Sequence, residues 1–134
     1  MNVVYLDTSA LLKRVVIESE SPAVRQVLRD RHAEGALLTS SPLAWVEVWR
    51  SLRRAGVADV ASTAEAALAG VAEFPLSDRV LTRALRVGTD ELRSLDAIHL
   101  ASAIAVGADS LFTYDGRLAG AAESAGLDVL RPTG

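Results

Sequence analysis

Short apolar runs that stop at an acid, each followed by helix-forming sequence, constrain this chain more than any other feature. Residues 2–6 (NVVYL) are β-branched and aromatic and end at Asp7; SLFTY (110–114) does the same and ends at Asp115. Short β-branched and aromatic runs of this kind read as buried strands. ALLT (36–39) and DVLR (128–131) have the same character.

Between them lie helical segments with recognisable ends. Thr8 or Ser9 caps a helix expected to reach about Ile17. Ser21-Pro22 starts another, with Ser as N-cap and Pro at the first position, ending near Gly35. Ser40-Ser41-Pro42 opens a third that Gly56 ends, and the Ala-rich stretch 57–72 reads as a fourth. Ser77-Asp78 caps a helix stopping near Gly88. Ser94 caps the helix carrying Asp96, with Gly107 at its C′ position, and a last helix runs from about Arg117 to Ser124.

Strands alternating with helices predict an α/β fold with a mainly parallel sheet. Ligands of such sheets bind beyond the carboxyl ends of the strands. Asp7 and Asp115 each follow a strand, so local reasoning alone puts two acids on one rim.

The 134 residues suffice for one domain, expected to span 1–134. Half the residues are hydrophobic and 23% charged, a globular balance. Mean hydropathy is +0.25, which fits either an Ala- and Val-rich core or a surface buried by a partner. The absence of cysteine excludes disulfides, thiolate metal sites and a Cys nucleophile. Two histidines, His32 and His99, are too few for an ordinary zinc site. The net charge of −3 gives no global attraction for nucleic acid, yet all basic residues but Lys13 are Arg, suited to bidentate phosphate contacts. With no basic, apolar leader and no long apolar span, the expected compartment is the cytoplasm, without membrane insertion.

Four acids stand out, each with an ordinary explanation beside a functional one. Asp7 is a helix cap or a carboxylate at the strand end. Glu47 lies on the apolar half of its helix, where a buried carboxylate needs a partner; Arg50, at i+3, is the simple one. Asp96 sits in a first helical turn, where the macrodipole favours acids. Asp115 precedes Gly116 in a turn signal. His99, at i+3 from Asp96, reads as a packed core residue. Thr113 faces the same side of its strand as Asp115 and can orient a carboxylate or a water. Trp45 and Trp49 are neighbours on one helix and read as core or as interface. If the four acids converge, their repulsion calls for a divalent cation, and all-oxygen ligation favours Mg²⁺ or Mn²⁺.

LDTSALLKR, Glu47 followed by Arg50, LDAIHLASA and FTYDGRLAGAAESAG together resemble the PIN-domain family, most closely its VapC-type toxins, over residues 4–126. The resemblance implies a three-layer α/β/α sandwich and a metal-dependent endoribonuclease acting on a tRNA or rRNA loop. It implies a homodimer silenced by a cognate antitoxin. By position, Asp7 and Asp96 would be the main metal ligands, with Glu47 and Asp115 completing the acidic cluster. Thr8, Ser9, Thr113 and Arg117 would support them. Lys13, Arg14, Arg50, Arg53 and Arg54 are further candidates for phosphate contact.

Two other readings use the same strand-end Asp. A receiver domain needs paired acids there and a late Lys; a haloacid-dehalogenase-type phosphatase needs a second Asp where Ser9 stands. A third is a binding module that keeps the fold without catalysis.

Overall fold

Tyr5 is fully buried on one face of the central strand while Val4 and Leu6 are buried on the other, and this alternation builds the molecule in layers. The computed structural model describes residues 2–133, so the ends of the expected domain, Met1 and Gly134, lie outside the described residues. In chain order the elements are β1 (Val3–Leu6), α1 (Thr8–Leu12), α2 (Ser21–Ala33), β2 (Leu37–Ser40), α3 (Pro42–Arg54) and α4 (Val60–Ala67). They continue with β3 (Ala72–Glu73), α5 (Asp78–Ala84), α6 (Ser94–Ala105), β4 (Ser110–Phe112), α7 (Gly116–Ser124) and β5 (Asp128–Leu130).

The five strands form one sheet in the order β3-β2-β1-β4-β5, and every pairing is parallel. On one face Val4, Leu6 and Phe112 pack with Leu11, Val24, Val48 and Leu52 from α1, α2 and α3. On the other, Tyr5 and Leu111 pack with Leu100 of α6 and Leu118 of α7. The expected three-layer α/β/α sandwich follows. The polar side chains of β2 are buried but satisfied: Thr39 donates to the Val4 carbonyl at 2.9 Å and Ser40 to the Leu6 carbonyl at 2.7 Å.

Four local expectations are corrected. The first helix ends at Leu12 and not near Ile17. Arg14 and Val15 bond back three residues, and the β-branched run Val15-Val16-Ile17 disfavours continuation. Asp7, and neither Thr8 nor Ser9, caps it. The stretch 57–72 is helical only over α4, and Ala72–Glu73 form an edge strand against Thr39 and Ser40. Ser21 and Ser94 are first helical residues, not caps; Glu20 and Arg93 hold the N-cap positions.

The chain leaves β1 toward β2 on one side, while β4 pairs with β1 on the other. The topological switch point therefore lies between β1 and β4, and a crevice opens at their carboxyl ends. No helix of the described residues is long and apolar enough to cross a membrane.

A candidate acidic active site

Asp7 follows β1 and caps α1, so its ordinary explanation holds, and the carboxylate stands at the strand end. It is 4% exposed. Its Oδ1 accepts from the Ala10 amide at 3.0 Å and from Ser9 Oγ at 2.7 Å, while its Oδ2 accepts from Thr113 Oγ1 at 2.6 Å. Thr113 in turn accepts from the Asp115 amide at 3.0 Å. Ser9 Oγ accepts from the Tyr114 amide at 2.9 Å, tying α1 to the end of β4. Asp115 caps α7 through the Leu118 amide at 2.9 Å. Ser9 and Thr113 thus join the two strand-end acids into one unit.

Glu47 does not pair with Arg50. Its Oε1 accepts from Thr8 Oγ1 at 2.6 Å and lies 2.6 Å from His99 Nε2. The other ring nitrogen, Nδ1, lies 2.9 Å from the Tyr5 hydroxyl, which is 3.0 Å from Ser41 Oγ. A carboxylate only accepts, so Nε2 carries the proton. His99 is buried and satisfied as expected, but its partner belongs to the acidic site. The signal was present in the sequence: a carboxylate on an apolar helix and a histidine on another are complementary buried groups.

Glu47, Asp96 and Asp115 line one open cleft of about 790 Å³, together with Arg93 and Arg117. Asp7 lies behind it. Arg117 is exposed and, among the described residues, bonds to none of the acids; Arg93 went unnoticed in the sequence because its place depends on the chain entering α6 beside the cleft.

Burial pushes the Asp7 carboxyl above its ordinary range, against the hydrogen bonds from Thr113, Ala10 and Ser9. Asp96 is also pushed up, first by burial and then by the negative charge of Asp115, with Asp7 and Glu47 adding to it. Burial would raise Glu47, but its bonds to His99 and Thr8 outweigh this and hold it below the usual carboxylate range. Burial pushes the Tyr5 phenol to about 12, so it stays protonated.

Among the described residues, no three acid or imidazole side chains stand close enough to form a ready-made metal cage. The donor chemistry nevertheless fits Mg²⁺ or Mn²⁺. Glu47 Oε2, both Asp96 oxygens and Asp115 Oδ2 accept no hydrogen bond from the described residues. Mg²⁺ keeps several waters and is held by one or two carboxylates plus substrate phosphate, so a full protein cage is not required.

Residues 4–124 match the PIN domain. The chain belongs to the PIN-domain family. It is 42% identical over 135 residues to Ribonuclease VapC46 of Mycobacterium tuberculosis, covering 99% of this chain and all of that protein, which places it among the VapC-type members. The solved structure of Mycobacterium tuberculosis VapC20, described as a sarcin–ricin loop cleaving toxin, shares the fold with a TM-score of 0.75. It is 19% identical, covering 96% of this chain and 99% of that one. A toxin–antitoxin complex from Klebsiella pneumoniae gives a TM-score of 0.68 at 21% identity, covering 96% and 97%.

The remaining expectations divide. Lys13 is buried, paired with Glu18 at 2.9 Å and Glu20 at 3.3 Å, and stacked over Tyr114. Arg14 donates to the Ala67 and Ala69 carbonyls at 2.7 and 2.9 Å. Both serve the fold, and Lys13 is bound to acids other than those a receiver domain would need. Arg50, Arg53 and Arg54 are exposed and do not line the cleft. Trp45 and Trp49 are half-buried against the core.

Proposed function

We propose that this chain is an endoribonuclease toxin of a toxin–antitoxin pair, a single nuclease domain acting in the cytoplasm, with Asp7, Glu47, Asp96 and Asp115 as its acidic centre. The reading is supported by Glu47, Asp96 and Asp115 lining one cleft, with Asp7 tied to Asp115 through Thr113. A ribonuclease relative at 42% identity over nearly the whole chain supports the activity. The toxin–antitoxin complex among its structural relatives supports a cognate antitoxin partner. A tRNA or rRNA loop as substrate and a homodimeric toxin complete the reading.

A bound Mg²⁺ or Mn²⁺ would offset the carboxylate repulsion, polarise the phosphate and make a water more acidic. Asp96 and Asp115 would hold it through their free oxygens, and Asp7 directly or through water, which leaves Glu47 to the water. Thr8 and His99 fix Glu47 Oε1, which leaves Oε2 to orient the attacking water and accept its proton. The water oxygen bonds to phosphorus, the bridging P–O bond breaks, and the departing oxygen takes a proton. Arg93 and Arg117 on the cleft wall suit bidentate contact with phosphate.

Incubation of the antitoxin-free protein with total RNA, in Mg²⁺ or in EDTA, tests this reading when followed by end-group analysis of the products. Cleavage only with the divalent ion, leaving a phosphate monoester and a hydroxyl, is expected. Cleavage in EDTA, or 2′,3′-cyclic phosphate ends, would contradict water as the nucleophile.

A further inference from the structure

Several exposed arginines, Arg50 and Arg53 among them, have no side-chain partner among the described residues, but five of them lie on or near the approach to the acidic cleft. Arg79, Arg83, Arg86, Arg93 and Arg117 are exposed, and among the described residues none has a carboxylate within 4.0 Å. The first three form a stripe. Arg86 follows the end of α5 in a turn whose amide donates to the Arg83 carbonyl at 3.1 Å. Positions 79 and 83 are i and i+4 on one face of α5, about 6 Å apart along the axis, and Arg86 in the turn that follows lines the same hollow.

The stripe leads to the acids. Arg79, Arg83 and Arg86, with Thr82 and Val87, line a hollow of about 440 Å³. The next residue, Gly88, begins a second hollow of about 620 Å³ that passes Thr89 and Leu92 and reaches Gly116 and Arg117. Arg117 also lines the acidic cleft. Val87 of the first hollow adjoins Gly88 of the second in the chain, and the second shares Gly116 and Arg117 with the cleft lined by Asp96 and Asp115. Glu91 is the one acid lining the middle hollow.

Unneutralised like charges on one helix face repel and cost the fold stability. A regular polyanion laid along them reverses that cost, and guanidinium groups bind phosphate oxygens two at a time. We propose that Arg79, Arg83 and Arg86 bind the phosphate backbone of a single-stranded RNA segment that continues past Arg117 into the acidic cleft. This rests on the ribonuclease reading above and adds where the substrate lies outside the reacting bond.

The test compares wild type with the triple variant Arg79→Gln/Arg83→Gln/Arg86→Gln, and with Arg25→Gln/Arg29→Gln, which lies in a different cleft. Two single-stranded RNA oligonucleotides carry the same cleavage site, one long enough to reach α5 and one confined to the cleft. Neutralising three phosphate contacts lowers the slope of log affinity against log salt by about 2, since each contributes roughly 0.7 on a single strand. The KM for the long RNA should rise roughly tenfold to a hundredfold at moderate salt, with kcat and the short RNA unchanged. The α2 variant should match wild type, and the triple variant should melt no lower than wild type, since a like-charge repulsion is removed. If wild type cleaves but the triple variant keeps its KM and salt slope, the proposal is refuted, even if antitoxin binding weakens. If wild type cleaves no RNA at all, the ribonuclease reading fails instead.

Discussion

Thr113→Val isolates the link between the two strand-end acids. Valine has nearly the shape of threonine and the same β-branching, so the strand and its packing are retained. The wild-type hydroxyl is fully buried, donates to Asp7 Oδ2 at 2.6 Å and accepts from the Asp115 amide at 3.0 Å. Losing a hydrogen bond to a buried charge costs about 1.5–3 kcal/mol, and losing the neutral bond from the Asp115 amide adds about 0.5–1 kcal/mol, so roughly 2–4 kcal/mol is expected. With an unfolding entropy of about 2.1 cal/mol/K per residue over 134 residues, 1 kcal/mol is about 3.5 °C, and Tm should fall by roughly 7–14 °C. Calorimetric melting of the metal-free protein at about pH 8 measures this. The bond lowers the Asp7 pKa, so its contribution is present while Asp7 is ionised and fades as pH falls through the folded pKa. A cycle with Asp7→Asn should give a coupling of about 1 kcal/mol or more. A coupling below about 0.5 kcal/mol, or a cost independent of pH, would refute the account of Asp7 as a charged group held by Thr113.

Asp96→Asn should raise the Tm of the metal-free protein by about 2–5 °C, because it removes a partly exposed charge from the repulsion of three acids; an unchanged or lower Tm would show that the acids do not interact. The metal-free wild type should lose stability as pH rises from the ordinary carboxylate range, since Asp7 and Asp96 bind protons more tightly folded than unfolded. Glu47 acts in the opposite sense below that range, and added Mg²⁺ should flatten the decline; thermal melts across pH measure this slope. His99→Leu should cost about 1–3 kcal/mol and lower kcat with little effect on KM, since it frees Glu47 from a fixed rotamer; equal activity would remove His99 from the site.

The frame of the fold was legible because its strands announce themselves: all four apolar runs contain strands, and the two followed by an acid place Asp7 and Asp115 at the carboxyl ends of β1 and β4. The edge strand Ala72–Glu73 was hidden because it is two residues long and neither residue favours β structure; its pairing with Ser40 makes it a strand. The shortness of α1 follows partly from the β-branched run Val15-Val16-Ile17, which was legible, and partly from Arg14 reaching the Ala67 and Ala69 carbonyls, a tertiary matter. Within the site, Asp7 and Asp115 followed from local position, whereas the Glu47 partner came from a helix 52 residues later. Arg93 and the α5 stripe gain meaning only from the cleft they approach, so spacing alone could not single them out.

The most direct test of the central claim is the rate of RNA cleavage by Asp7→Asn and Asp96→Asn proteins whose melting curves show them folded. Each substitution should lower kcat by at least about a hundredfold in saturating Mg²⁺, as loss of a key electrostatic group does. Wild-type rates from either folded variant would contradict the acidic centre proposed for this chain.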